Sequence, residues 1–414
     1  MSTKGKILFC CFIVMLFLTG CKSVASPGEL IKSPKPESVG EGNLLEKLEQ
    51  LRPTNSEYLT PPRSASKQSV LIEDVNNDGR LEAFATYRSL GENRKVHLIV
   101  LQEGEGEDWD VLTDIETDYY TLDYFELQDL NEDTQMEVII GLGTSDFESE
   151  KQLYIYEWKS DGINLSIEKG YDIVDIVDYD EDNQLDVLLV HGVRREFFTA
   201  ELFHYQEGKL ISKSAVGLDP YAFHEHVESG KLADDKQALF IDSAVGAHSM
   251  ITQMVTFKVG QLIKLDEEFI KAYPLYSQDI DADGVIEVGG MYIPKGWEDA
   301  AFANIPFIEY FQAYSSDGTS IKKGERYTNR EHRFYVEFPP EWNGRITIKE
   351  KDNGVQLLSA QDSKLIFDVN WTKKGTDEKM THVLIETKDT VYYSTISENE
   401  TFPFEQFHLL DTEL

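Results

Sequence analysis

The sequence predicts an all-β chain: a β-propeller-like repeat domain of about five blades, followed by a small β-rich or α+β C-terminal domain. Three observations predict it. A nine-residue acidic pattern starts at Asp74, Asp129, Asp178 and Asp279, at intervals of 55, 49 and about twice that. The segments flanking each copy are short and rich in β-branched and aromatic residues. Within the repeats no long stretch carries the 3.6-residue period of a helix. A fixed period of this length marks a solenoid, propeller or array, and each period has room for the four short strands of one blade.

At the N-terminus, Lys4 and Lys6 precede an apolar run from Ile7 to Leu18 that ends Leu18-Thr19-Gly20-Cys21. The run is too short to span a bilayer as a helix and reads as a signal peptide, residues 1–21. Leu-Thr-Gly-Cys resembles the bacterial lipobox, which implies that Cys21 is lipidated and becomes the first mature residue. An uncleaved anchor is the alternative; both readings tether an exported protein to the cell membrane, on its extracytoplasmic face. Cys10 and Cys11 fall in the removed segment, so the mature chain would have neither a free thiol nor a disulfide.

Residues 22–56 come next. The stretch 22–42, with Ser26-Pro27-Gly28 and Ser33-Pro34-Lys35-Pro36, is a linker reaching at most ~70 Å when extended. Leu44-Leu45-Glu46-Lys47-Leu48 starts a short helix before the repeats.

The repeats fill 57–315. Their loops place oxygen-bearing residues at positions 1, 3, 5 and 9: Asp74, Asn76, Asp78 and Glu82; Asp129, Asn131, Asp133 and Glu137; Asp178, Asp180, Asp182 and Asp186; Asp279, Asp281, Asp283 and Glu287. With a carbonyl at position 7 these can wrap one hard cation such as Ca²⁺. Position 6 must turn sharply, which favours Gly79 and Gly284, admits Asn183 and strains Thr134. Asp and Asn also form ordinary turns. But the ligand positions carry −3, −3, −4 and −4, so −14 in all, and carboxylates converging without a cation repel strongly. An EF-hand needs a bidentate Glu at position 12 between two helices. Position 12 here is Ala85, Ile140, Leu189 or Gly290, between strands. The doubled last interval places a unit without ligands near 228–235, followed by Ala238-Leu239-Phe240-Ile241.

At these loops the chain resembles the FG-GAP/VCBS repeat family, whose blades carry D-x-[DN]-x-D-G-x-x-[DE]. Glu137-Val138-Ile139-Ile140-Gly141-Leu142-Gly143 is similar to the strand and Gly turn that follow such a loop. The resemblance covers about 250 residues and implies calcium at the blade edges of an integrin-type propeller. Thr134 and Asn183 depart from its usual Gly. A closed five-bladed ring is the expectation, with an incomplete ring or two stacked sheets as the alternative.

Ser315-Ser316-Asp317-Gly318 and Lys322-Lys323-Gly324 mark a boundary, and 325–414 reads as the C-terminal module. Strands are expected at 334–338, 345–348, 364–371 and 383–387. The net charge of −36 repels nucleic acid and anionic lipid heads. No nucleophile elbow, P-loop or His-Glu metal motif occurs. His224-Glu225-His226 places two imidazoles where zinc could bind, though a surface or core role is the plainer reading. The expectation is a monomeric, non-catalytic, calcium-binding lipoprotein at the cell surface, serving a protein or saccharide ligand of the envelope. The alternative is an envelope polysaccharide lyase or hydrolase that uses a propeller face.

Overall fold

The computed structural model describes residues 39–410 except 92–93, 145–150, 161, 247–248, 266–270, 273, 377–379 and 397–403. The signal peptide, Cys21 and most of the linker lie outside these residues. Helix Val39–Leu51 contains the expected Leu44–Leu48 segment, and no described helix is long and apolar enough to cross a membrane. Six antiparallel sheets follow. In the first, Ser56–Tyr58 and Val70–Glu73 lie end to end along one edge of Glu82–Ser89, followed by Val96–Glu103 and Trp109–Glu116. The second is an up-and-down meander of Thr121–Gln128, Glu137–Gly143, Lys151–Lys159 and Gly162–Tyr171. The third repeats it with Ile173–Val177, Asp186–Val193, Phe197–Gln206 and Lys209–Leu218.

The fourth sheet is the unit without ligands. Phe223–Lys231 turns at 232–236 into Gln237–Gly246, then Ser249–Lys258 and Gln261–Lys264. The turn falls where the doubled interval places it. In the fifth, the Gln278–Glu287 bridge replaces a first strand, and Glu287–Tyr292, Ile308–Tyr314, Ser320–Asn329, Phe334–Glu337 and Phe407–Leu409 pair in that order. These strands run through 315–325, the stretch marked as a boundary in the sequence. The sixth sheet comprises Ile346–Lys351, Gly354–Ser359, Leu365–Lys373, Thr390–Ser394 and His382–Glu386.

Period-2 alternation makes each sheet two-faced, and the faces stack in chain order. Phe84, Val96, Leu98 and Val100 of the first sheet pack on Phe125, Val138 and Ile140 of the second. Ile139, Leu153 and Ile155 meet Val187 and Leu189 of the third. Leu188, Val190 and Leu202 meet Leu239, Ile241 and Val255 of the fourth. Phe240 and Met254 meet Val288 and Tyr314 of the fifth. The architecture is thus propeller-like and all-β, with five successive units of four or five strands.

The two outermost faces find other cover. Leu44 and Leu48 of the helix, each 1% exposed, fill the first sheet's outer face against Ala83, Ala85, Ile99, Leu101 and Trp109. The sixth sheet packs Ile346, Ile348, Leu357, Phe367 and Val369 on Ile308, Phe334 and Val336 of the fifth. Among the described residues, none of the six core clusters joins the first sheet to the fifth. The arrangement is the incomplete ring rather than the closed one: a row of blades with a helix at one end and a sheet at the other. Burying a leucine side chain contributes about 1.5–3 kcal/mol, so Leu44 and Leu48 together favour the docked helix by roughly 3–6 kcal/mol before the entropy of ordering it is counted.

Candidate metal centre

Each acidic loop joins the first strand, or in the fifth sheet the Gln278 bridge, to the next strand of its unit. All four share one backbone path. Position 6 is left-handed at Gly79 (φ 86°), Thr134 (73°), Asn183 (69°) and Gly284 (83°), as the turn chemistry requires. Position 4 is left-handed as well, at Asn77, Glu132, Glu181 and Ala282 (56°, 58°, 62° and 59°). Sequence reasoning missed this second turn, because none of those residues is glycine. Thr134 is β-branched, so its conformation costs on the order of 1–2 kcal/mol.

This path folds the loop around its own acids. The position-1 carboxylate accepts the position-6 amide: Gly79 N to Asp74 at 3.0 Å, Thr134 N to Asp129 at 2.9 Å, Asn183 N to Asp178 at 2.9 Å and Gly284 N to Asp279 at 2.8 Å. The position-5 carboxylate accepts the position-7 amide at 2.8–2.9 Å in each. One oxygen at position 9 accepts the position-2 amide, from Val75, Leu130, Tyr179 and Ile280 at 3.1, 2.9, 3.0 and 3.1 Å. The remaining oxygens point inward. Oxygens of Asp178, Asp180 and Asp186 lie within 4.8 Å of one another, as do those of Asp279, Asp281 and Glu287. A further group joins Asp180 and Asp182 to His204.

Four inward oxygens are buried without a hydrogen-bond donor: Asp129 Oδ1, Asp180 Oδ1, Asp186 Oδ1 and Glu287 Oε1. A buried acceptor left unsatisfied costs about 1–3 kcal/mol, more when charged. Desolvation pushes the carboxyls of Glu137 and Glu287 up to about 7, with neighbouring loop acids adding to it. Burial likewise raises Glu82 and Asp186 above the usual carboxylate range. A hard cation would satisfy the orphaned oxygens and favour the ionised forms, so the donor set fits calcium.

Strand partners complete the loops. Gln102 Nε2 donates to Glu82 at 2.8 Å and to Asp78 at 3.2 Å. His204 stands 3.5 Å from Asp186 and 3.4 Å from Asp182. Lys213 bonds Asp180, and Lys323 bonds Asp283 at 2.8 Å and Asp281 at 3.4 Å. These four residues sit 26 to 44 positions beyond the first Asp of their loops, without a constant spacing to betray them in the sequence. Neighbouring loops also touch. Asn77 donates to the Thr134 carbonyl, Gln184 to Glu132 at 3.3 Å and Lys236 to Glu181 at 2.6 Å. Position 4 therefore links each of the first three loops to the next unit, including the unit without ligands.

The histidine pair lies elsewhere. A bulge at Glu225 separates the two residues; His224 Nδ1 is 2.5 Å from Asp172 and His226 Nε2 is 3.2 Å from the Ser277 carbonyl. Each imidazole serves a different partner.

No family model and no curated protein matches the chain. Solved structures with some likeness include a periplasmic gluconolactonase from Pseudomonas aeruginosa, at 9% identity and TM-score 0.34, over 72% of this chain and 84% of that one. A rhamnogalacturonan lyase from Bacillus licheniformis matches at 11% identity and TM-score 0.30, over 82% and 74%. A hypothetical selenium-binding protein from Sulfolobus tokodaii matches at 11% and 0.30, over 51% of this chain and 57% of that one. Scores this low add nothing to the fold argued above from the sheets.

Proposed function

We propose that this chain is an exported lipoprotein whose repeat domain, residues 57–315, binds calcium in its acidic loops and serves as a non-catalytic binding or scaffold module at the cell envelope. The observation that carries the reading is the repetition of one loop geometry four times, with inward carboxylate oxygens buried without a hydrogen-bond donor in three of the loops. The ligands would be Asp74, Asn76, Asp78 and Glu82 and their counterparts in the other three loops. The resemblance to FG-GAP/VCBS repeats supports the same assignment. Equilibrium dialysis of EDTA-stripped protein against calcium is expected to give at least two bound ions per chain, with magnesium competing poorly because it demands smaller, more regular octahedra. Less than one bound calcium at millimolar concentration would sink the reading.

The anchor is tested separately. Cys21→Ser removes the acyl acceptor, so the variant is expected to stay unprocessed and unlabelled by a fatty-acid probe. Unchanged labelling and membrane fractionation would refute the lipobox assignment without touching the calcium sites.

A further inference from the structure

The loops are accompanied by a second repeated feature, on the far side of each sheet. In the first sheet the row Glu82–Gln102–Asp110 is followed by Leu101–Val111, and then Val100 pairs with Thr113, leaving Leu112 as an extra residue. In the third, Asp186–His204–Ile211 is followed by Phe203–Ser212, and Leu202 pairs with Ser214, leaving Lys213. In the fifth, Glu287–Ala313–Ile321 is followed by Gln312–Lys322, and Phe311 pairs with Gly324, leaving Lys323. The second sheet skips Ser166 between Tyr156–Leu165 and Ile155–Ile167. The bulge thus sits at one register position, two residues beyond the row of the ninth ligand where that row is continuous. The fourth sheet lacks the ligands, and its pairing of Gln261–Lys264 runs without a shift. Loop and bulge go together. A bulge re-aims a side chain, and the cleft over the first loop is lined by Leu112 together with Asn76, Asp78 and Gln102.

In two of the four sheets the extra residue is a lysine, and its ammonium enters the carboxylate cluster. Lys213 Nζ bonds Asp180 and stands 3.6 Å from Asp182 and 3.5 Å from Asp186. Lys323 Nζ lies 2.8 Å from Asp283, 3.4 Å from Asp281 and 3.9 Å from Glu287. Asp186 and Glu287 are fully buried, and each aims an oxygen without a hydrogen-bond donor at that point. These are also the two loops with four carboxylates at the ligand positions, where the first two have three. The fixed cation therefore accompanies the higher charge. In the first loop, Arg80 reaches Asp78 at 2.9 Å from a half-exposed position on the loop itself.

We propose that Lys213 and Lys323 are tethered counter-cations that stand where a divalent ion would bind, lowering the calcium affinity of the third and fourth loops below that of the first and second. This rests on the calcium reading of the loops. Charge count alone ranks the third and fourth loops as the strongest sites; the lysines reverse that order. The chain then has two open sites near its helix-capped end and two self-neutralised ones farther along, which hold their shape at calcium concentrations that empty the others.

Calcium titration calorimetry and thermal melts on the whole chain test this, comparing wild type with Lys213→Met, Lys323→Met and the converse Leu112→Lys. Methionine keeps the length of lysine and removes its charge. Wild type is expected to show two tighter and two weaker sites. Each Lys→Met change tightens one weak site by roughly tenfold or more, the effect of deleting a charge a few ångströms from the ion. Each also lowers the melting temperature in EDTA, with recovery in calcium. Leu112→Lys, at an exposed position, should weaken one tight site by a similar factor. Four equivalent sites in wild type, or unchanged affinities in all three variants, would overturn the counter-cation assignment while leaving calcium binding intact. Absence of calcium binding in wild type and Lys→Met proteins alike would overturn both.

Discussion

Chelation is expected to lower the melting temperature of the repeat domain by about 6–12 °C. With a dissociation constant near 10⁻⁴ M, typical of extracellular modules, and ~1 mM calcium, each occupied loop adds roughly 1.4 kcal/mol. The two loops without a lysine then contribute about 3 kcal/mol, and a domain of this size shifts by about 2–4 °C per kcal/mol. Displacing both lysines at higher calcium would bring the total to about 6 kcal/mol, comparable with the net stability of a whole domain. The effect spreads because Asn77, Gln184 and Lys236 fasten each of the first three loops to the next unit. A calorimetric melt in EDTA against one in calcium decides it. Superimposable transitions would remove calcium from the account of stability.

Asp242→Ala is expected to cost about 3–5 kcal/mol, the usual result of stripping one partner from a buried ion pair. Asp242 is fully buried in the fourth sheet and accepts from Lys271 Nζ at 2.7 Å, Thr252 Oγ1 at 2.5 Å, Ser277 N at 2.5 Å and Ser277 Oγ at 3.1 Å. The Lys271 side chain is only 1% exposed, and burial pushes its amine below the ordinary lysine value. Removing Asp242 leaves that cation without its counter-charge and frees Ser277, two residues ahead of the fourth loop. The paired change Asp242→Leu with Lys271→Met removes both charges and should restore much of the stability. Denaturant midpoints measure the difference. A single variant as stable as wild type, or a double variant no better than the single, would show that the pair does not hold this junction.

The parts legible in the sequence were those governed by local chemistry. Asp and Asn at fixed offsets with a left-handed sixth residue announced the loops, and their interval located the ligand-free turn at 232–236. The strand expected after the second loop is observed as Glu137–Gly143, and those expected at 334–338 and 345–348 overlap Phe334–Glu337 and Ile346–Lys351. What escaped was set by register and by ends. Lys213 and Lys323 carry no local signature, because a bulge depends on how two strands pair rather than on the residue it expels. The Lys271–Asp242 pair joins residues 29 apart through a buried contact. Periodicity also says how one unit meets the next and nothing about the first and last. Leu44 and Leu48 covering the first sheet, where a ring would place the fifth, could only be seen in three dimensions.

That lid changes what sets the number of blades. A closed propeller must satisfy a geometric sum, since the angles between successive sheets have to complete a full turn, and adding or losing a unit strains every interface. A row ended by a helix and by a sheet has no such sum to satisfy. Its length is free to vary by whole units so long as the two terminal covers are kept. The helix also precedes every repeat in the chain, so under the proposed lipid anchoring a pull from the N-terminal side would load Leu44 and Leu48 before it reached any loop.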